Sequence, residues 1–147
     1  MGTQAIRSYR DLDVWKVAMD AVVVVYGLAD TLPSSERFEL SSQIRRSVVS
    51  IPSNVAEGFG RGGRAYRNHV LIALGSTAEL ETQIEAAVRL GLLSAVQVAG
   101  AAELLTRVGQ MLHRLDSALR RKQLALTASP LALLGCAMAP TLLTLFG

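Results

Sequence analysis

The side chains in this sequence that are able to do chemistry are few, and their spacing limits them further. Gly58, Gly60 and Gly63 spell G-x-G-x-x-G, the fingerprint of a dinucleotide-binding loop. Such a loop works between a strand and a helix, where its amides face a pyrophosphate. Here a helical pattern precedes it, so the glycines are expected to turn the chain between two long helices. Glu79, Glu81 and Glu85 supply carboxylates, and Glu81 and Glu85 share a helix face. No Glu-x-x-His motif accompanies them, however, and His69 and His113 are distant in sequence, so a di-iron bundle is not expected. Cys136 is the only cysteine, which excludes a disulfide framework and a Cys-rich zinc module. The serines have no histidine beside them in a nucleophile–base arrangement. The expectation is a protein that is not an enzyme and has no metal, cofactor or small-molecule substrate.

Two groups of polar residues say more. Arg45, Arg46, Arg61, Arg64 and Arg67 cluster in sequence, the last three repeating every third residue across a glycine-rich break. Arginines at such a break can neutralise phosphates without reading sequence, and Phe59 and Tyr66 are placed to stack on bases. Arg45, Arg61, Arg64 and Arg67 are therefore the candidate contacts to RNA or DNA, although Tyr66 also falls on an apolar seam. The second group is a row on one helix face, Arg46, Ser50, Asn54 and Glu57, opposite that helix's apolar stripe. Arg46 and Glu57 stand three turns apart, about 16 Å along the axis, too far to pair with one another. The row is expected to meet water or another surface, Arg46 and Glu57 pairing with neighbours on another helix or another subunit, and these four are the candidate oligomer interface.

The elements that must position these residues are helical. Residues 11–31 carry Leu12, Val14, Val17, Ala18, Ala21, Val22, Val25 and Leu28 at helical spacing, with Asp11 and Asp13 at the positive end of the dipole. Pro33 ends this helix and Ser35 is expected to cap the next, over 36–60. There Leu40, Ile44, Val48, Ile51, Val55 and Phe59 form one stripe whose register survives Pro52, so a bend near Ser47–Val48 is expected rather than an end. Over 64–90, Tyr66, Val70, Ala73, Thr77, Leu80, Ile84 and Ala87 form a heptad seam, with Gly75 and Ser76 expected at a close helix crossing and Gly91 at the end. Over 94–124, Ser94 is the expected N-cap and Val98, Ala101, Leu105, Val108, Leu112, Leu115 and Leu119 the seam. Four amphipathic helices joined by short turns predict an all-α, antiparallel, up-down-up-down four-helix bundle over residues 1–125.

Composition agrees with a folded helical domain. The 147 residues are 50% hydrophobic and 18% charged, which excludes a disordered chain, and a net charge of +3 permits an acidic partner. The N-terminal residues have no apolar core that would make a secretory signal, and Ile6 stands where a myristoylation site needs Ser or Thr, so a cytoplasmic location is expected. After Lys122 come 25 residues with no charged side chain, preceded by Arg120 and Arg121. Pro130 and Pro140 interrupt this run, so residues 126–147 are expected to be a flexible or groove-bound tail rather than a membrane span.

Three segments carry a resemblance to a known family: Ser42-Gln43-Ile44-Arg45-Arg46, then Ser50-Ile51-Pro52-Ser53-Asn54-Val55-Ala56-Glu57-Gly58-Phe59-Gly60-Arg61, then Ala73-Leu74-Gly75-Ser76-Thr77-Ala78-Glu79-Leu80-Glu81-Thr82-Gln83. Tyr9-Arg10-Asp11-Leu12-Asp13-Val14-Trp15 adds to it, as does the turn holding Leu32-Pro33, Glu36 and Leu40. From about Ser8 to Leu119 the chain resembles the four-helix-bundle proteins encoded in intervening sequences of 23S ribosomal RNA genes. That resemblance implies a cytosolic bundle assembled as a ring of five, without enzymatic activity. It is similar also to the accessory proteins of diversity-generating retroelements, which implies nucleic acid and a reverse transcriptase as partners. The apolar tail lies outside the family pattern.

Overall fold

The computed structural model describes residues 5–36 and 39–127. Among these, four α-helices and no strand are present: α1 (Asp13–Asp30), α2 (Leu40–Arg61), α3 (Gly63–Arg89) and α4 (Ala95–Thr127). A 3-10 turn at Tyr9–Asp11 precedes α1, and a second at Ser34–Glu36 sits in the α1–α2 connection. The tail beyond Thr127 lies outside the described residues.

Each helix packs against two others, α1 and α3 each contacting α2 and α4, so that α1 and α3 face one another across the bundle diagonal. Side-chain pairing sets the directions. Ser50 meets Ser76 while Asn54 meets His69, so α2 and α3 run antiparallel. Arg67 meets Asp116 and Gln123 reaches Gly63, which makes α3 and α4 antiparallel as well. At the α1–α2 end, Ser41 Oγ donates to the Ala29 carbonyl at 3.2 Å, joining the last turn of α1 to the first turn of α2.

The core is the set of stripes that helical spacing selects. Val14, Val17, Ala18, Ala21, Val25 and Leu28 of α1 close on Ile44, Val48, Ile51 and Val55 of α2, all buried. Opposite them, Val70, Ala73, Leu80, Ile84 and Ala87 of α3 meet Ala101, Leu105, Val108 and Leu112 of α4. The stripe ends Leu40, Tyr66, Val98, Leu115 and Leu119 are half-buried. Thr77, a buried hydroxyl on the α3 seam, is satisfied by donating to the Ala73 carbonyl at 2.9 Å. Pro52 leaves the Val48 carbonyl without its helical donor, yet α2 runs uninterrupted through it.

Local chemistry fixes several helix ends, although α1, α2 and α3 all begin without a side-chain cap. Ser94 caps α4 by a capping box: its Oγ accepts from Gln97 N at 3.3 Å, and Gln97 Oε1 accepts from Ser94 N at 2.8 Å. α3 ends in a Schellman motif, with Gly91 N on the Val88 carbonyl and Leu92 N on the Ala87 carbonyl, a geometry that needs the positive φ of Gly91. Ahead of α1, Asp11 accepts from the backbone N–H groups of Arg7 and Ser8, which hold its carboxyl below the ordinary carboxylate range. The start of α2 departs from the expected cap. Ser35 belongs to the 3-10 turn, and α2 begins at Leu40, the first residue of its apolar stripe, after Glu39 with no side-chain cap, four residues later than a cap at Ser35 implies. The backbone between Pro33 and Glu39 closes i→i+3 bonds instead, Glu36 N to Pro33 O and Glu39 N to Glu36 O.

Candidate functional site

The α2–α3 hairpin is the most tightly built part of the bundle. A single residue, Gly62, separates the two helices, and its φ of 67° followed by Gly63 at 52° reverses the chain in a way that only glycine adopts freely. α2 continues through Gly58 and Gly60 to Arg61, so these two glycines are helical rather than part of a loop. Gly58 is the contact point: a Cβ there would stand 2.8 Å from His69 Cβ and 2.8 Å from Tyr66 Cδ2. Of the close crossing expected at Gly75 and Ser76, nothing comes within 4 Å of a Cβ built on Gly75, whereas Ser76 is buried and meets α2 through Ser50.

This approach brings the polar row of α2 onto α3 within one protomer. Ser50 Oγ and Ser76 Oγ are 2.8 Å apart. Asn54 Nδ2 donates to the Ser50 carbonyl at 2.9 Å and lies 3.1 Å from Ser50 Oγ. With its amide nitrogen engaged, Asn54 accepts through Oδ1 from His69 Nδ1 at 3.0 Å. His69 Nε2 then faces Glu57 Oε1 at 3.8 Å, and Glu57 binds Arg61 one turn on. Ser50 and Asn54, expected at a subunit contact, are thus used inside the chain, whereas Arg46 is exposed and donates to Gln43 Oε1 at 2.9 Å. Spacing alone could not name the partners Ser76 and His69, because they belong to another helix.

The candidate phosphate contacts are divided in the same way. Arg45 pairs with Asp30 at 2.6 Å and lies over the Tyr26 ring, Arg61 pairs with Glu57, and Arg67 pairs with Asp116 at 2.7 Å. Arg64 is exposed and makes no ion pair among the described residues. Arg45 stands at the opposite end of α2 from the other three, so the four do not form one surface. Phe59 and Tyr66 pack edge to face on one another, centroids 6.1 Å apart. Burial raises the pKa of the Tyr66 hydroxyl, whose oxygen has no hydrogen-bond partner among the described residues.

The Arg67–Asp116 pair carries a specific expectation. Asp116 is only 20% exposed and Arg67 Nε is its donor, so Arg67→Ala strands a half-buried carboxylate. The loss should be about 1–2 kcal/mol, between the values for exposed and buried pairs. Urea unfolding at fixed protein concentration measures it, with Arg61→Ala, in an exposed pair, changing stability by less than about 0.5 kcal/mol.

A second set of arginines was not singled out from sequence. Arg107, Arg114 and Arg121 recur every seven residues on α4, all exposed, with Gln110 and Ser117 between them. At 100° per residue these five span about 80° on the face opposite the core seam. His113, Arg120 and Lys122 flank that face, also exposed. None of the five basic residues among these eight enters an ion pair among the described residues. Heptad spacing on the outer face is the sequence signal that marks them, running beside the apolar heptad of the inner seam of the same helix.

No group of three His, Cys, Asp or Glu side chains is placed to hold a metal ion among the described residues. No described helix is long and apolar enough to cross a membrane.

Comparison with known proteins accords with this fold. A crystal structure of a protein of unknown function from the S23 ribosomal protein family of Bacteroides thetaiotaomicron VPI-5482 is similar, with a TM-score of 0.65 and 25% sequence identity. The likeness covers 70% of this chain and 97% of that one. No curated protein matches the sequence significantly. The family described as 23S rRNA-intervening sequence protein matches residues 10–114, a stretch that takes in α1, α2, α3, the Asn54–His69 network and most of α4's buried seam. The chain belongs to the 23S rRNA-intervening sequence protein family.

Proposed function

We propose that this protein is a non-enzymatic subunit of a homo-oligomeric ring in the cytoplasm, a scaffold that engages nucleic acid through its basic side chains. The observation that carries the ring is the pair of apolar surfaces left open on the protomer. On α1, Met19, Val23 and Tyr26 form an exposed stripe opposite the core, with Val23 72% exposed. On α3, Leu71 and Ile72 are exposed beside Gly75, with Ile72 at 50%. Because α1 and α3 lie across the bundle diagonal, these patches face different directions. Two unlike patches on opposite sides favour head-to-tail contact, which closes as a ring when the rotation permits. The copy number of five comes from the family resemblance. Arg46, exposed beside Gln43, remains available to such a contact, whereas Ser50, Asn54 and Glu57 already bond within the protomer.

Nucleic acid is favoured as the partner by the excess of arginine over lysine, a fork that binds phosphate bidentately. A reverse transcriptase is the protein partner to test first, by the resemblance to the retroelement accessory proteins. Size exclusion with light scattering at low and high salt, read at 260 and 280 nm, tests the reading. A five-subunit mass with co-eluting nucleic acid that salt removes is the expected result. A clean five-subunit mass without it favours a scaffold for protein partners alone.

A further inference from the structure

We infer that the outer face of α4, through Arg107, Arg114 and Arg121, is the surface that tracks a nucleic-acid backbone. This inference rests on the nucleic-acid reading above and relocates its contacts away from Arg45, Arg61 and Arg67. Those three guanidiniums already have carboxylate partners within the chain, and a phosphate would have to displace them. Arg107, Arg114 and Arg121 have none among the described residues. Their spacing places them about 10 Å apart along a straight axis, about 21 Å from first to last. Gln110 and Ser117 fill the gaps with exposed hydrogen-bonding groups.

The surrounding charge points the same way. From Arg107 to Lys122, α4 carries five Arg and Lys side chains against one carboxylate, Asp116, which Arg67 neutralises. The half of the bundle holding the α2–α3 turn has ten Arg and Lys side chains against five carboxylates. At the other end, four described basic residues face seven carboxylates. A polyanion is therefore steered toward the second half of α4, around Arg114 and Arg121, whereas Arg107, counted with the acidic end, marks the limit of the stripe, with Glu103 one turn before it. From Arg107 to Lys122 α4 exposes no large hydrophobic side chain; Leu124 and Leu126, which do stand exposed, lie beyond the last arginine. A helix that lies in a lipid surface needs apolar residues beside its basic ones, so this stretch fits a phosphate polymer better than a membrane.

The test is a salt titration of the full-length protein with three probes: labelled oligo(U), a labelled DNA duplex, each about 30 nucleotides or base pairs long, and vesicles of phosphatidylserine and phosphatidylcholine. The Arg107→Gln/Arg114→Gln/Arg121→Gln variant keeps helix propensity and removes no intrachain pair, so its circular dichroism and mass should match wild type. Expected is a log K against log salt slope shallower by about 2 on oligo(U), or about 3 on the duplex, with affinity at low salt at least about tenfold weaker. An Arg45→Gln/Arg67→Gln variant should keep the wild-type slope. A wild-type protein that binds with a slope the triple variant leaves unchanged overturns the α4 assignment alone. Wild type binding neither oligo(U) nor duplex overturns the nucleic-acid reading itself. Binding to vesicles only, abolished in the triple variant, overturns the inference by assigning the stripe to lipid headgroups.

Discussion

Replacing Gly58 by alanine is expected to lower the free energy of unfolding by about 1–3 kcal/mol, the usual range for overpacking a close contact. A Cβ at this position meets His69 Cβ and Tyr66 Cδ2, both at 2.8 Å, and the Tyr66 carbonyl at 3.2 Å. None of these is the loose end of a flexible side chain. Tyr66 is held by Phe59 and His69 by Asn54, so relief requires α2 and α3 to separate. Separation in turn stretches the Asn54–His69 and Ser50–Ser76 hydrogen bonds, which span the same crossing. Gly100 is the control. It too is helical, on α4, but nothing lies within 4 Å of its Cβ position. Gly100→Ala should therefore stabilise by about 0.5–1 kcal/mol, the ordinary helix-propensity gain. Urea titrations at equal protomer concentration separate the two, because stability of an oligomer shifts with concentration. Equal and small effects at both positions would remove the close crossing from the account.

The second large effect is on assembly. Val23→Asp and Ile72→Asp, made separately, should each reduce the mass in solution to one 15.7 kDa subunit while leaving the helical circular dichroism intact. Neither side chain contributes to the protomer core, since Val23 is 72% and Ile72 50% exposed. In a head-to-tail ring each lies at one side of every interface, so one substitution places a carboxylate in all of them. Burying either apolar side chain is worth about 1.5–3 kcal/mol per contact, and an unpaired charge reverses that sign. Unchanged assembly in both variants would move the interface away from α1 and α3.

Much of this architecture is legible in the residues, and the parts that are not share a cause. The α2 stripe from Ile44 to Val55 and the α3 seam from Val70 to Ala87 are buried as their periodicity requires. Ser94 and Gly91 act where local capping chemistry places them. Periodicity says which face of a helix is inside, but it does not say which neighbour a polar residue on the margin will meet. Ser50 and Asn54 are of this kind: their row looks outward in one helix, and only the approach at Gly58 brings Ser76 and His69 to them. The same holds for charge. Arg45 and Arg67 look free in sequence because Asp30 and Asp116 reach them from other helices, whereas the Glu57–Arg61 pair is an i,i+4 spacing that the sequence does display. Ser35 fails as a cap because the 3-10 turn closes around Pro33 before α2 can start.

The ring is the claim on which the functional account stands, and the mass of the intact full-length protein by native mass spectrometry tests it most directly. The account predicts one dominant species of five subunits, each of 15.7 kDa, persisting on dilution. A monomer at all concentrations would contradict it, and the exposed stripes on α1 and α3 would then need another partner.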